Sequence, residues 1–221
     1  MKPFALICMF ISIFVTAQAS DWEKVKDRKG VQVYSKEIPG SKIVAFRGIG
    51  TIDAPIENVV SVIHDTSRIK EWMSDMAETV VLERKSELEK VEYNRTTAPW
   101  PLWDREFVYW VKVEIKNDAK EVHINMGPGN NNHPNIPKRE KTVRGTLHSS
   151  KYIVKSLGPN KTELLVEINA DPSGSVPKWV VNLFQSVWPS DTIDGIRKLA
   201  TEPNYQVHAD IHKYLSNSKI N

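Results

Sequence analysis

Six histidines, one cysteine and twenty-seven acidic side chains are the groups from which chemistry could be built in this chain of 221 residues. A catalytic metal needs ligands that one element presents together, such as two histidines a helical turn apart with a glutamate between them. His64, His123, His133, His148, His208 and His212 are dispersed and show no such spacing. Acyl transfer through serine needs the nucleophile on a tight turn between glycines, and no glycine-x-serine-x-glycine pattern occurs. Gly174-Ser175 reads instead as a turn and cap ahead of Pro177. No glycine-rich phosphate loop is present either. The expectation is no catalytic residue, no metal ligand and no cofactor.

Polar groups set in an apolar wall are a different kind of site, one for binding. From Asp104 to Ile115 the chain alternates, with Phe107, Tyr109, Val111 and Val113 on one face and Trp110, Lys112 and Glu114 on the other. Successive strand residues point to opposite sides of a sheet, so the first set is expected inward. Tyr109 would then offer a hydroxyl inside an otherwise apolar surface; the alternative is an ordinary core with no ligand.

The elements that must position this strand begin after a distinct leader. Lys2 gives a basic start, Phe4 to Val15 is almost wholly apolar, and Ala17-Gln18-Ala19 has the small-x-small form of a cleavage site. Residues 1–19 therefore read as a secretory signal peptide cleaved after Ala19, and the protein as periplasmic or secreted. Cys8 lies within the leader, so the mature chain would carry no thiol, disulfide or zinc-thiolate site. The whole chain is 40% hydrophobic and 26% charged, with a net charge of +3 and charges interspersed. That balance argues for one globular domain, here 20–202 with a C-terminal tail at 203–221, and gives no basic patch of the kind nucleic acid requires.

Alternation and turn residues predict strands at 31–35, 43–52, 79–84, 91–97, 105–115, 121–126, 147–155 and 161–170. Asp53, Pro55 and an apolar face of Ile56, Val59, Val60 and Ile63 predict a short helix ending near His64. Pro177 is expected to open a long helix carrying Trp179, Val180, Leu183, Phe184, Val187 and Trp188, kinked or split by Pro189 and continuing to Leu199. One large antiparallel sheet and one long helix bury their apolar faces if the sheet curls around the helix, an α+β arrangement that can enclose a cavity.

Three segments resemble the START family, the lipid-transfer domains related to the steroidogenic acute regulatory protein. They are His64-Asp65-Thr66-Ser67-Arg68-Ile69-Lys70-Glu71-Trp72 followed by Val80-Val81-Leu82-Glu83, Pro99-Trp100-Pro101-Leu102-Trp103-Asp104-Arg105-Glu106-Phe107-Val108-Tyr109, and Asp171 through Asn182 with Ile196-Arg197-Lys198. Order and spacing agree over about 21–200. The resemblance implies a helix-grip fold: a curved antiparallel sheet wrapped on a C-terminal helix around an internal hydrophobic tunnel. It further implies an acid at Glu92 facing the polar end of a ligand, with the family's basic position filled here by Val111. Asn94, on the same face as Glu92, is then a possible partner.

With Phe107, Tyr109, Val111 and the helix residues Val180, Phe184 and Val187, these make the expected ligand-binding set. The loop from Gly127 to Pro137 holds three prolines, two glycines and four asparagines. The resemblance makes it a gate, with Pro128, Asn131, Pro134 and Ile136 over the tunnel mouth; read alone, it is equally a plain surface loop. Lys138, Arg139, Lys141 and Arg144 follow and would suit transient contact with anionic lipid heads. Arg105 is expected to tie the proline turn to a nearby acid. The implied function is binding and transfer of one phospholipid, sterol or fatty acid by a monomer. The alternative is a cyclase or hydrolase of the same fold acting on a hydrophobic substrate.

Overall fold

A computed structural model describes residues 22–41, 43–73 and 75–217, and the leader expected at 1–19 lies outside them. Among the described residues ten strands form one sheet: β1 (Glu23–Arg28), β2 (Val31–Lys36), β3 (Ala45–Ile52), β4 (Met76–Ser86), β5 (Glu89–Thr96), β6 (Asp104–Lys116), β7 (Glu121–Pro128), β8 (Thr142–Arg144), β9 (Thr146–Gly158) and β10 (Lys161–Asp171). The helices are α1 (Ile56–His64), α2 (Ile69–Trp72), α3 (Lys178–Ala200) and α4 (Ala209–Asn217). Strand order is β1-β2-β3-β10-β9-β7-β6-β5-β4, and β8 pairs off this path, parallel to the start of β6.

Every other pairing is antiparallel, as a chain of hairpins requires. The β1–β2 turn is set by Lys29 and Gly30, both at positive φ (54° and 70°), the backbone that matches the twist of two-residue hairpins. The β4 edge slips register against β5 at three points, between Met76 and Glu78, Val81 and Glu83, and Arg84 and Ser86. Extra residues of this kind bend a strand and raise its twist, which curls the sheet and spoils the edge as a template for another chain.

The long helix lies on β2, β3 and β10. It approaches closely because β3 offers two glycines: a Cβ at Gly48 would stand 2.7 Å from Cβ of Pro189, and one at Gly50 would stand 3.1 Å from Cγ2 of Ile193. Pro189 does not split α3, which is one element from Lys178 to Ala200. The hydrogen bond that proline forfeits is offset by seating its ring over Gly48 and by ties from the first hairpin. Arg28 reaches Ser190 Oγ at 2.9 Å and Asp191 at 2.5 Å, and Lys29 reaches Asp191 and Asp194 at 2.9 and 3.0 Å.

The short helices fill the space that α3 leaves. Helix α1 ends at His64 as expected but is capped by the backbone of Pro55, with no side-chain capping bond from Asp53. The tail does not extend α3: after Thr201 the chain turns back, and α4 packs on α1 with Ile211 and Leu215 buried. A second, smaller apolar cluster of Leu82, Val91, Tyr93 and Val108 lies on the other side of β4, β5 and β6.

Helix α3 meets the end of α2 at Gly195, where an added Cβ would press into the Trp72 carbonyl oxygen and stand 2.9 Å from Trp72 Cα. Alanine is favoured over glycine inside a helix by about 1 kcal/mol, but the atoms met here are backbone and cannot swing aside. Overpacking of this kind costs about 1–3 kcal/mol, so Gly195→Ala is expected to destabilise. A drop in Tm of about 4–8 °C for about 2 kcal/mol is the expected result by calorimetry, and a rise would contradict this account of the helix contact.

A buried polar group in the grip cavity

A cavity of about 60 Å³ lies between α1, α2 and α4 on one side and β5, β6, β7 and β9 on the other. Most of its wall is apolar, including Val60, Ile69 and Trp72 from the helices and Val111, Ile124 and Met126 from the strands. Its polar part comes from consecutive inward positions of β5, Lys90, Glu92 and Asn94, with Tyr109 of β6 and Tyr152 of β9. Strand register sets Glu92 beside Tyr109.

Lys90 Nζ stands 2.6 Å from Glu92 Oε1, and the two side chains are 8% and 5% exposed. Asn94 Nδ2 donates to the Tyr109 hydroxyl, while Asn94 Oδ1 is buried with no hydrogen-bond partner among the described residues. Burial and then the charge of Glu92 push the hydroxyls of Tyr109 and Tyr152 up, so both remain protonated. His64 also lines the cavity; burial, with Lys90 nearby, pushes its imidazole down to about 4.

Strand β5 is thus inverted relative to an ordinary half-buried strand. Its inward residues are polar, and its outward residues Val91 and Tyr93 are apolar and buried. The outward pair is dry because the loop between β7 and β8 lies over it. Ile136 packs on the second cluster, Asn135 Nδ2 donates to Leu82 O at 3.2 Å, and Gly129 N donates to Val108 O at 3.0 Å.

The expected site is brought together in part. Glu92, Asn94, Tyr109 and Val111 all line the cavity. The base missing at Val111 is supplied by Lys90, two residues before Glu92 on the same strand face, a spacing that the two-residue period could have flagged. Phe107 packs against the main core beneath Gly145 and is not in the cavity wall. Val180 and Val187 are half-buried on α3, and neither borders the cavity. The side chain of Phe184 lies outside the description. Trp179, Val180, Val181, Leu183 and Phe184 spread apolar groups over more than half of the helix circumference, so the pattern does not single out Val181, the apolar residue buried there.

The loop expected as a gate stands elsewhere. Pro128 ends β7 opposite Tyr109, Arg144 Nη1 donates to Asn131 O at 3.4 Å, Pro134 is exposed, and Ile136 covers the outer face of the sheet. An apolar outer surface on β5 and β6 holds it there. Arg139 and Arg144 are drawn to Glu78 and Glu106, at 2.5 and 2.7 Å, so half of the expected basic cluster is already paired.

Arg105 binds backbone rather than an acid. It donates to Trp103 O and, at 3.3 Å, to Pro172 O, joining the 97–103 turn to the segment that launches α3. The acid of that turn, Asp104, instead pairs with Arg95 at 2.5 Å. These joined segments carry Trp100, Trp103, Trp179 and Leu183, all large, apolar and exposed, with Trp100 92% open to solvent.

Removing one partner of a buried ion pair leaves an uncompensated charge and costs about 3–5 kcal/mol, whereas replacing both by apolar groups is often neutral. Lys90→Met alone is therefore expected to destabilise strongly, and Lys90→Met with Glu92→Met to restore most of the loss. A double-mutant cycle in urea checks this; additive losses would show that the two charges do not couple.

Comparison with known proteins agrees with this architecture. The family model described as START domain matches residues 14–199. A Pseudomonas aeruginosa protein named "Uncharacterized protein PA1579" is 28% identical over 185 residues, 83% of this chain and 89% of that one. Human START domain-containing protein 10 is 29% identical over 164 residues, 73% of this chain and 55% of that one, so this chain spans about half of its length. Bovine phosphatidylcholine transfer protein is 21% identical over 163 residues, 73% of this chain and 75% of that one. The crystal structure of human STARD10 superposes with a TM-score of 0.73 at 25% identity, covering 81% of this chain and 73% of that one. A grip of antiparallel strands on a long C-terminal helix, matched by a family model over 14–199, makes this chain a member of the START domain family.

Proposed function

We propose that the protein binds one lipid with a polar head inside the grip and transfers it between membranes. The observation that carries this reading is the buried polar set at the cavity wall. A core built only for stability gains little from an interior ion pair and often does better with apolar residues in its place. A ligand head gives Lys90, Glu92, Asn94 and Tyr109 a use, and Asn94 Oδ1 offers it an unpartnered acceptor. Relatives named for phosphatidylcholine transfer and for START domains support the same class of ligand.

Ligand pockets usually hold about 300–1,000 Å³, and 60 Å³ is far less. A lipid therefore enters only as the wall moves apart. The exposed Trp100, Trp103, Trp179 and Leu183 form the surface on which this happens, since aromatic rings favour the membrane–water boundary. Each methylene kept from water contributes about 0.8 kcal/mol, so bilayer and protein interior exchange lipid at near balance without ATP. On this reading the chain acts as a monomer outside the cytoplasm, after cleavage of its leader behind Ala19.

The test uses delipidated protein, vesicles of phosphatidylcholine with and without anionic lipid, and a fluorescent lipid analogue. Uptake is expected for the wild type. Each aromatic ring withdrawn from water contributes about 1.5–3 kcal/mol, and 1.4 kcal/mol is tenfold. Trp100→Ala with Trp103→Ala should therefore lower vesicle association and transfer at least about tenfold. Glu92→Gln with Tyr109→Phe should change affinity or lipid preference. Loss of product formation with binding intact would favour an enzyme, and wild-type protein that takes up no lipid would refute the proposal.

A further inference from the structure

His64 closes α1, and His208 and Asp210 stand at the start of α4; ligand atoms from all three lie within 4.8 Å of one another. The two imidazole rings meet edge to face with centroids 5.0 Å apart, and His208 Nδ1 is 3.6 Å from Asp210 Oδ2. His208 Nδ1 is buried with no hydrogen-bond partner among the described residues. The segment is also held at the right height, because His208 N donates to Ser61 Oγ at 2.6 Å, one turn before His64.

We propose that His64, His208 and Asp210 bind one late first-row divalent cation, zinc in the first instance, which clips α4 onto α1. Two imidazoles and one carboxylate are a donor set that zinc accepts, with water completing a tetrahedron. Zinc bonds of about 2.0–2.1 Å place tetrahedral ligand atoms about 3.3 Å apart. His208 and Asp210 are partly exposed and reach that spacing by side-chain rotation, while His64 is fixed on its helix.

The clip has a structural consequence. Ile211, one residue beyond Asp210, forms part of the cavity wall, and Leu215 is buried a turn later. A cation at the head of α4 fastens the element that closes this side of the cavity. His212, whose Nδ1 is 3.5 Å from Glu57 Oε2, lies on the same seam but outside the cluster, which makes it the natural control.

The experiment titrates zinc chloride into untagged, metal-stripped protein, with a chromogenic chelator as competitor. One zinc per chain is expected, with a Kd of about 10 μM or tighter. His208→Ala and Asp210→Ala should weaken binding at least about tenfold, and His212→Ala should leave it unchanged. Zinc should also slow amide exchange across 209–217 in the wild type and not in His208→Ala. His64→Ala opens the cavity wall and can fail to fold, so the two α4 variants decide the matter. No stoichiometric binding, or binding that survives His208→Ala, overturns the proposal. The outcome is independent of whether lipid is carried.

Discussion

A charge inside a protein must be answered by an opposite charge or by hydrogen bonds, because water no longer answers it. Glu92 lies in the interior of a curled sheet, and the arrangement around it follows from that demand. Lys90 on the same strand face brings the counter-charge within 2.6 Å. Tyr109 and Tyr152 sit within the carboxylate's field, and Asn94 engages the first of them. Lys90, Glu92, Asn94, Tyr109 and Tyr152 all lie on paired strands, so the polar group is held by the sheet and not by a loop.

The two sides of the grip are built differently. Where α3 crosses β3 the backbone contact is close, with glycines under Pro189 and Ile193 and charged ties from the β1–β2 hairpin. Over the cavity the cover is made of short pieces: nine residues of α1, four of α2 and the nine-residue α4. Elements with few turns and few ladder bonds open at lower free energy than long packed ones. The small cavity and the segmented cover therefore belong together.

Much of the fold was legible because hairpins of alternating residues leave a strong period-two signal. The strands that escaped were those without one. Strand β1 reads Glu-Lys-Val-Lys-Asp-Arg and is largely exposed, and β8 is three residues held only by its pairing with β6. Half of the site was legible too, through the inward face of β6. Lysine is rarely buried, so the residue type of Lys90 argues against an inward position even though its two-residue spacing from Glu92 places it on that face. The position of the 127–139 loop depends on an apolar outer face at Val91, Tyr93 and Val108, which composition alone assigns to the core without saying which side.

That outer face separates two tasks within one strand. The apolar contacts that anchor β5 are made by Val91 and Tyr93 on the far side of the sheet from the cavity, with Leu82, Val108 and Ile136. Residues 90, 92 and 94 are thereby freed from supplying the strand's hydrophobic adhesion. Lineages descended from such a chain can revise the chemistry of the chamber in matched pairs of substitutions while its scaffold persists, a route to diversification written into the alternation of a single strand.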